Sequence, residues 1–591
     1  MKPCAFFLAL LVAACAPSKP ATRPEPVTPG KRVEARTGMV ASSSADASAA
    51  GLAMLRKGGN AIDAAVATAF ALGVVDHSQT GIGGYGVATI WLAKEKRAEA
   101  LEFMGRTGAD PAWGAADPET RGPVNPRLAL VPGFVSGLLT LHERYGKLPR
   151  TEVLAPAVRL AREGFVVGPL MHRVLTAQRD KVAATPSAAA VFLPNGEPPA
   201  IGDRIVQPEL ATILEAIGRD GASAFYSGEY ARRTTEQIRA AGGLLTEADF
   251  AAYKPVVRRP ACSPFLDYTV IGAAGSVASP YVIEMLNVAE AAGIHRLGDP
   301  TNVPGAAVRL ADAISVGLQD LRRYGGGPEW RPSPIRGVTN PAFAAARADW
   351  KPGAPTDQKD AWSEDSAAVP ARCAAMDPYP TTTERPPVGS FEHDTISDSA
   401  SNTSHFAVVD GDRNVVSLTS SVGILFGSGV YAGGMFLNSS GNLFRAGSRA
   451  PNRYPSSSVA PMIVMQGDSP RLAVGAAGAA YIPAAVAQVI FRFAGLHQDI
   501  YTALAAPRMN PQVGTSRLEI EAGYTLSVYS ELRSHGYVTT TRIADLLFAA
   551  VHAIAIQPDG TLVGAADPRR DGAAAGFSGF SGSQGSQVLG F

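Results

Sequence analysis

Apolar and polar positions along the chain switch between two periods, and the switches divide it into segments. Thr37 to Ser44 reads as a short strand. Ala45 to Lys57 then has helical spacing and is closed by Gly58-Gly59 at the C-terminal cap position. Asn60 is placed to cap a second helix through about Val75, rich in alanine and so able to pack closely. Gly81-Ile82-Gly83-Gly84-Tyr85-Gly86 follows, and then a strand, Val87 to Ala93. By letter that run matches G-x-G-x-x-G, but the dinucleotide fingerprint needs a strand before it and a helix after it. Here the order is helix, glycines, strand. The run therefore reads as a tight turn that brings backbone close to another element.

Further along, Val131 to Val167 and Gln207 to Lys254 are mostly helical, with a boundary at Gly242-Gly243, and Tyr268 to Ile271 is strand-like. Gly326 to Asn402 changes character: Pro, Asp, Ser and Thr accumulate and apolar periodicity fades, as in a long exposed excursion or a disordered segment. Strand signals resume at once in His405 to Val409, Asn414 to Thr419, Met435 to Leu437 and Met462 to Met465. His552 to Gln557 is another strand, turning at Pro558-Asp559-Gly560 into Thr561 to Gly564. Ala484 to Phe493 reads as a helix and Ala503 to Ala506 as a short helical turn. Residues 578–591 form a Gly/Ser-rich tail, and no internal repeat is visible.

Composition narrows the class. The 591 residues are 46% hydrophobic and 18% charged, which is globular composition. Lys and Arg number 53 against 52 Asp and Glu, without long basic runs, so no nucleic-acid partner is expected. Lys2 is followed by a short apolar run, Ala5 to Ala14, too short to span a bilayer and suited to an export signal. Val12-Ala13-Ala14-Cys15 resembles a bacterial lipobox, which implies cleavage before Cys15, lipidation of that cysteine and anchoring to a membrane on the periplasmic or cell-surface side. Residues 1–14 are then the signal, and 15–36, rich in Pro, Thr and Ser, a tether. With Cys4 removed and Cys15 lipidated, Cys262 and Cys373 remain, a pair able to form a disulfide in an exported protein. The nine scattered histidines offer no metal-ligand spacing, and no cofactor is expected.

A polar segment that ends at a small nucleophilic residue, directly before a strand, has a specific use. If the Asn402-Thr403 peptide is cut, Thr403 gains a free α-amine beside its own hydroxyl. Such an amine has an ordinary pKa of about 7.7 to 8.0 and can serve as general base near neutral pH. The hydroxyl then attacks an amide carbonyl and forms an acyl-enzyme, with no Ser/His/Asp arrangement needed.

The stretch Thr403-Ser404-His405-Phe406-Ala407-Val408-Val409-Asp410, continued by Asn414, Val416, Thr419, Ser421 and Phe426-Gly427, resembles the signature of the γ-glutamyltranspeptidases. Gly58-Gly59-Asn60-Ala61-Ile62-Asp63-Ala64-Ala65, Gly81 to Gly84, Val131-Pro132-Gly133, Ala157 to Gly164, Gly242-Gly243-Leu244-Leu245 and Asp567-Pro568-Arg569 match further blocks in order. The resemblance implies an α+β fold, a four-layer αββα sandwich, self-cleaved into a large piece (37–402, with 326–402 its flexible end) and a small one (403–577). It implies Thr403 as nucleophile, Ser421 as a second hydroxyl assisting self-cleavage, and Ser457 and Ser458 as the pair holding a substrate carboxylate. Gly478 and Ala479 match the pair whose N–H groups form the oxyanion hole, and Arg106 is the candidate carboxylate clamp. His405 shares a strand face with Thr403 and is read as structural. The implied reaction cleaves or transfers a γ-glutamyl group, glutathione being the default donor and water, an amino acid or a peptide the acceptor.

Where the family reads the substrate amine with Asn-Asn-Gln-x-Asp-Asp-Phe, this chain has Asn438-Ser439-Ser440-Gly441-Asn442-Leu443-Phe444. Leu443 stands at the acidic position, Ser440 at the Gln, and Gly423 where an Asn follows Ser421. An ammonium left without an anionic partner in a pocket is costly. A glutaryl or cephalosporin-type acylase acting on substrates without an α-amine is therefore a second expectation, and a non-catalytic binding lipoprotein a third. Only Arg445 to Tyr454 separates Phe444 from the serine block, which suggests an open site.

Overall fold

The computed structural model describes residues 29–114, 122–326, 332–352, 360–374, 376, 378–380, 401–444, 448–543 and 548–579. Cys15, the signal, most of the tether, residues 381–400, Arg445 and residues 580–591 lie outside them.

Two seven-stranded sheets form the middle of the molecule. The first runs, edge to edge, Ala573–Phe577, Gly38–Ser42, Ser401–Val409, Val415–Ile424, Tyr85–Leu92, Arg97–Phe103 and Val256–Arg258. The second runs Arg32–Ala35, Leu562–Ala566, Ala550–Ile556, Ser469–Ala477, Met462–Gln466, Tyr268–Gly272 and Ala261–Phe265. Every pairing in both is antiparallel.

Alternation along the strands builds three apolar layers. Met39, Ala41, Ala407, Val409, Ile463, Ala473 and Ile554 meet between the sheets. Phe406, Val408, Val416 and Leu418 face the other way, onto helices Ala45–Arg56, Ala61–Val75 and Phe134–Tyr145. Met462, Val464, Leu472 and Val474 face helices Ser279–Ala291, Pro304–Tyr324 and Ile482–Ile490. The result is helix, sheet, sheet, helix, the expected four-layer sandwich. Asn60 caps its helix as expected: its side chain accepts from Ile62 and Asp63, and Asp63 answers to the Asn60 N–H.

Several boundaries differ from the sequence reading. Arg32–Ala35, inside the segment read as a tether, pairs with Leu562–Ala566 as an edge strand. Part of the polar stretch 326–402 is packed rather than exposed. Short helices Ile335–Val338 and Pro341–Ala345 bury Ile335, Val338 and Phe343, and Arg347 reaches Glu284 (2.8 Å) and Asp320. Cys373 forms a disulfide with Cys262 on strand Ala261–Phe265. Helices of four or five residues are too short to show a period, which hid this packing from the sequence.

Candidate active site

The strand carrying Thr403 begins at Ser401, earlier than the pattern suggests, and its register slips between Asn402 and Thr403. Thr403 lies opposite Ser421 on the neighbouring strand. Its Oγ1 donates to Ser421 Oγ (3.4 Å), and Ser421 Oγ donates to Asn402 O (2.8 Å), the carbonyl of the bond between the two candidate pieces. The same Oγ accepts the Gly423 N–H at 2.8 Å. One hydroxyl thus connects the Thr403 hydroxyl to the carbonyl that this hydroxyl would attack. Thr403 is only 2% exposed, so this arrangement is held in a dry setting where hydrogen bonds are strong.

His405 is buried on the same face as Thr403, with Nδ1 beside Thr419 Oγ1 (2.9 Å). Burial drives its pKa well down, and the nearby His552 adds to the shift. It stays neutral and packs against Gly475, in keeping with a structural role.

The glycine run is indeed a close-approach turn. A Cβ on Gly84 would come within 2.5 Å of Ser421 O, and one on Gly83 within 2.2 Å of Phe436 O. Asn438 completes this junction: its N–H and its side-chain amide donate to Gly83 O, and the amide also donates to Leu130 O (2.9 Å). Arg106 belongs to the same junction. Its backbone pairs with Val131, and a Cβ on neighbouring Gly105 would meet Ser440 Oγ at 2.4 Å. Arg106 Nε is buried with no hydrogen-bond partner among the described residues.

At the end of strand Ser469–Ala477, Gly478 has φ 150° and Ala479 φ 53°. The short 3-10 turn that follows, Ala479–Tyr481, contacts the Thr403 strand. Ser458 Oγ donates to Ala479 O (2.8 Å), and the Ser457 N–H donates to Ser276 O (2.7 Å). Ser458 is therefore fastened to Ala479, and Ser457 to Ser276. Ala479 keeps its N–H but holds a left-handed conformation that glycine adopts more cheaply.

The departures from the family pattern are built in together. Gly423 has φ 93°, and a Cβ there would fall 2.2 Å from Ser439 Oγ. Ser439 Oγ instead accepts the Ile424 N–H (3.0 Å) and donates to Val422 O (3.4 Å). Leu443, half-buried, packs against the apolar cluster of the second sheet. The positions at which the resemblance would place an amine reader are thus occupied by a small polar contact and an aliphatic side chain.

Sequence reasoning missed a buried polar group beneath Thr403. Asp76 accepts from Ser43 Oγ (3.0 Å), from Ser404 Oγ and from Gln79 Nε2 (2.6 Å). Burial raises its pKa, and its hydrogen-bond donors and Arg570 pull the other way. Arg570 lies 3.1 Å from Thr403 O. The signal in the sequence is the second arginine of Asp567-Pro568-Arg569-Arg570, one residue beyond the matching block.

A four-layer sandwich with a strand-borne threonine beside its own upstream carbonyl defines the class of N-terminal-nucleophile hydrolases. The family model for gamma-glutamyltranspeptidase matches residues 47–577, and the chain belongs to that family. The glutathione hydrolase proenzyme of Escherichia coli (strain K12) is 30% identical over 607 residues, covering 96% of this chain and 98% of that one. The Acylase ACY 1 proenzyme of Pseudomonas sp. (strain SE83) is 31% identical over 563 residues, covering 92% and 94%. The cephalosporin acylase structure from Bacillus halodurans shares the fold, with TM-score 0.75 at 24% identity over 97% of this chain and all of that one.

Proposed function

We propose that the chain cuts itself between Asn402 and Thr403, and that the freed Thr403 hydrolyses or transfers γ-glutamyl groups from amides such as glutathione. The observation that carries this is the Thr403–Ser421–Asn402 O connection. In self-cleavage Thr403 Oγ1 attacks the Asn402 carbonyl carbon. A C–O bond forms, the C–N bond breaks, and the hydroxyl proton ends on the Thr403 nitrogen. Water then hydrolyses the ester, leaving an Asn402 carboxylate and a free Thr403 amine and hydroxyl. In turnover that amine takes the hydroxyl proton as Oγ1 attacks the donor amide, and the N–H groups of Gly478 and Ala479 stabilise the developing oxyanion. Ser457, Ser458 and Arg106 hold the donor's carboxylate. A denaturing gel tests the first step: the wild type runs as two fragments and Thr403→Ala as one band. An uncut wild type would sink the proposal and leave the non-catalytic reading.

A second reading is favoured by one specific observation: Gly423, Ser440 and Leu443 at the amine-reading positions. An acylase for glutaryl-type amides needs the carboxylate clamp but no amine reader. Relatives named acylase match this chain about as closely as those named glutathione hydrolase. Comparing hydrolysis of γ-glutamyl and glutaryl anilides separates the two. Cys15 is proposed as a lipid attachment site, so Cys15→Ser should release the protein from the membrane fraction.

A further inference from the structure

The loop after strand Leu562–Ala566 reads Asp567-Pro568-Arg569-Arg570 and brings a second buried arginine under the Asn402–Thr403 bond. Arg508 Nη2 (2.6 Å) and Arg569 Nη1 (3.0 Å) engage Asp567 and tie the loop down. Arg570 is a further cation, 4% exposed, directed elsewhere. Its Nη1 donates to Gln79 Oε1 (2.7 Å) and to Thr403 O (3.1 Å), and its Nη2 reaches Asn402 Oδ1 (3.4 Å). One planar fork therefore touches the residue on each side of the bond to be cut. The strand register slips at that same bond, so ladder pairing alone does not fix its orientation. The loop is anchored from a third direction: Lys31 Nζ donates to the carbonyls of Asp567 (3.1 Å), Arg570 and Gly572 (2.8 Å).

We infer that Arg570 is a positioning residue that holds the Asn402–Thr403 peptide against Ser421 for self-cleavage and, once it is cut, keeps the Thr403 amine in its neutral, basic form. The inference rests on the self-cleavage reading above. Arg570 neither gives nor takes a proton in either step; it fixes the Asn402 side chain and the Thr403 carbonyl. After cleavage its hydrogen bond to Thr403 O places a positive charge within about 6 Å of the new amine, which disfavours the ammonium. Lys31, behind the loop, acts in the same sense. Asp76, on the Ser404 side, and Asp567 oppose it. Tyr85, beside Ser421, and the buried His405 and His552 are neutral near pH 7 and weigh little.

Full-length wild type, Thr403→Ala, Arg570→Met, Arg570→Lys and Asn402→Ala test this. Fragment appearance is followed on denaturing gels, and kcat is measured against pH on the matured protein. Arg570→Met should mature at least about ten-fold more slowly than wild type, with Arg570→Lys in between and Asn402→Ala several-fold slow. The acid limb of the Arg570→Met profile should rise by about one pH unit while Arg570→Lys keeps the wild-type limb, a readout that simple loosening of the core would not move. A folded Arg570→Met that matures at the wild-type rate with an unchanged limb overturns the inference. Should Arg570→Met not fold, wild-type maturation rates in both Arg570→Lys and Asn402→Ala overturn it. A wild type that stays uncut like Thr403→Ala refutes the underlying reading instead, whatever the Arg570 variants do.

Discussion

Gly423 is the residue at which the altered pocket can be tested most sharply. Replacing it with alanine puts a Cβ 2.2 Å from Ser439 Oγ on a backbone with φ 93°. The left-handed conformation costs about 1–2 kcal/mol for a residue with a Cβ. The displaced Ser439 hydroxyl also gives up its bonds with Ile424 N and Val422 O, about 1 kcal/mol between them after water is counted, and more if the Ile424 N–H stays unpaired. Together the loss is about 3 kcal/mol. With an unfolding entropy of roughly 2 cal/mol/K per residue, that lowers the melting temperature of a chain of this size by about 2–3 °C. Calorimetry on Gly423→Ala, Ser439→Ala and the double variant checks the reasoning. Removing the Ser439 hydroxyl clears the clash, leaving only the backbone of Ser439 and its Cβ at 3.4 Å. The double variant should therefore melt close to Gly423→Ala, a coupling of about 1–2 kcal/mol. Additive losses, or a Gly423→Ala that melts like wild type, would refute the account. Because the Gly423 N–H also bonds Ser421 Oγ, Gly423→Ala should slow self-cleavage as well.

Three other outcomes are expected. Lys181 is buried with its Nζ on Leu425 O (2.8 Å) and Gly427 O (2.6 Å), and burial lowers its pKa from 10.5 to about 8. The unfolded chain therefore binds that proton more tightly, so stability should rise from about pH 8 to 10.5; the wild-type rise, measured against Lys181→Met, should disappear in the variant. Ala479→Gly should leave the stability within about 0.3 kcal/mol of wild type, because relief at φ 53° offsets the added freedom of the unfolded chain; a loss near 1 kcal/mol, about 0.8 °C in a chain of this size, would show that Ala479 is unstrained. The Cys262–Cys373 disulfide closes a loop of 111 residues, and Cys373→Ser should cost about 2–4 kcal/mol in thermal unfolding, with no further loss on adding a reductant.

Much of this protein is legible in its sequence. Strand alternation in His405 to Val409 sets which side chains enter the space between the sheets, because a period of two leaves no other choice. Asn60 announces its helix through local hydrogen bonding, and the glycine run announces a close approach because no other residue fits there. Local chemistry likewise singled out Thr403. Long-range contacts were not legible. Helix Ser279–Ala291 is buried over much of its surface, which leaves it little of the amphipathic stripe that marks a surface helix. The packed part of 332–374 depends on an ion pair and a disulfide reaching across the sequence.

The sequence by itself, then, determined the sheets' inward and outward faces, the candidate nucleophile and the block order of its family, since each is written in periods and local motifs. Only the tertiary structure decided that Ser439 fills the space beside Gly423 and that Arg570 reaches both sides of the bond at Thr403. The partners in the second pair lie 168 and 167 residues apart, and no local pattern encodes a contact made by folding a loop back under a distant strand.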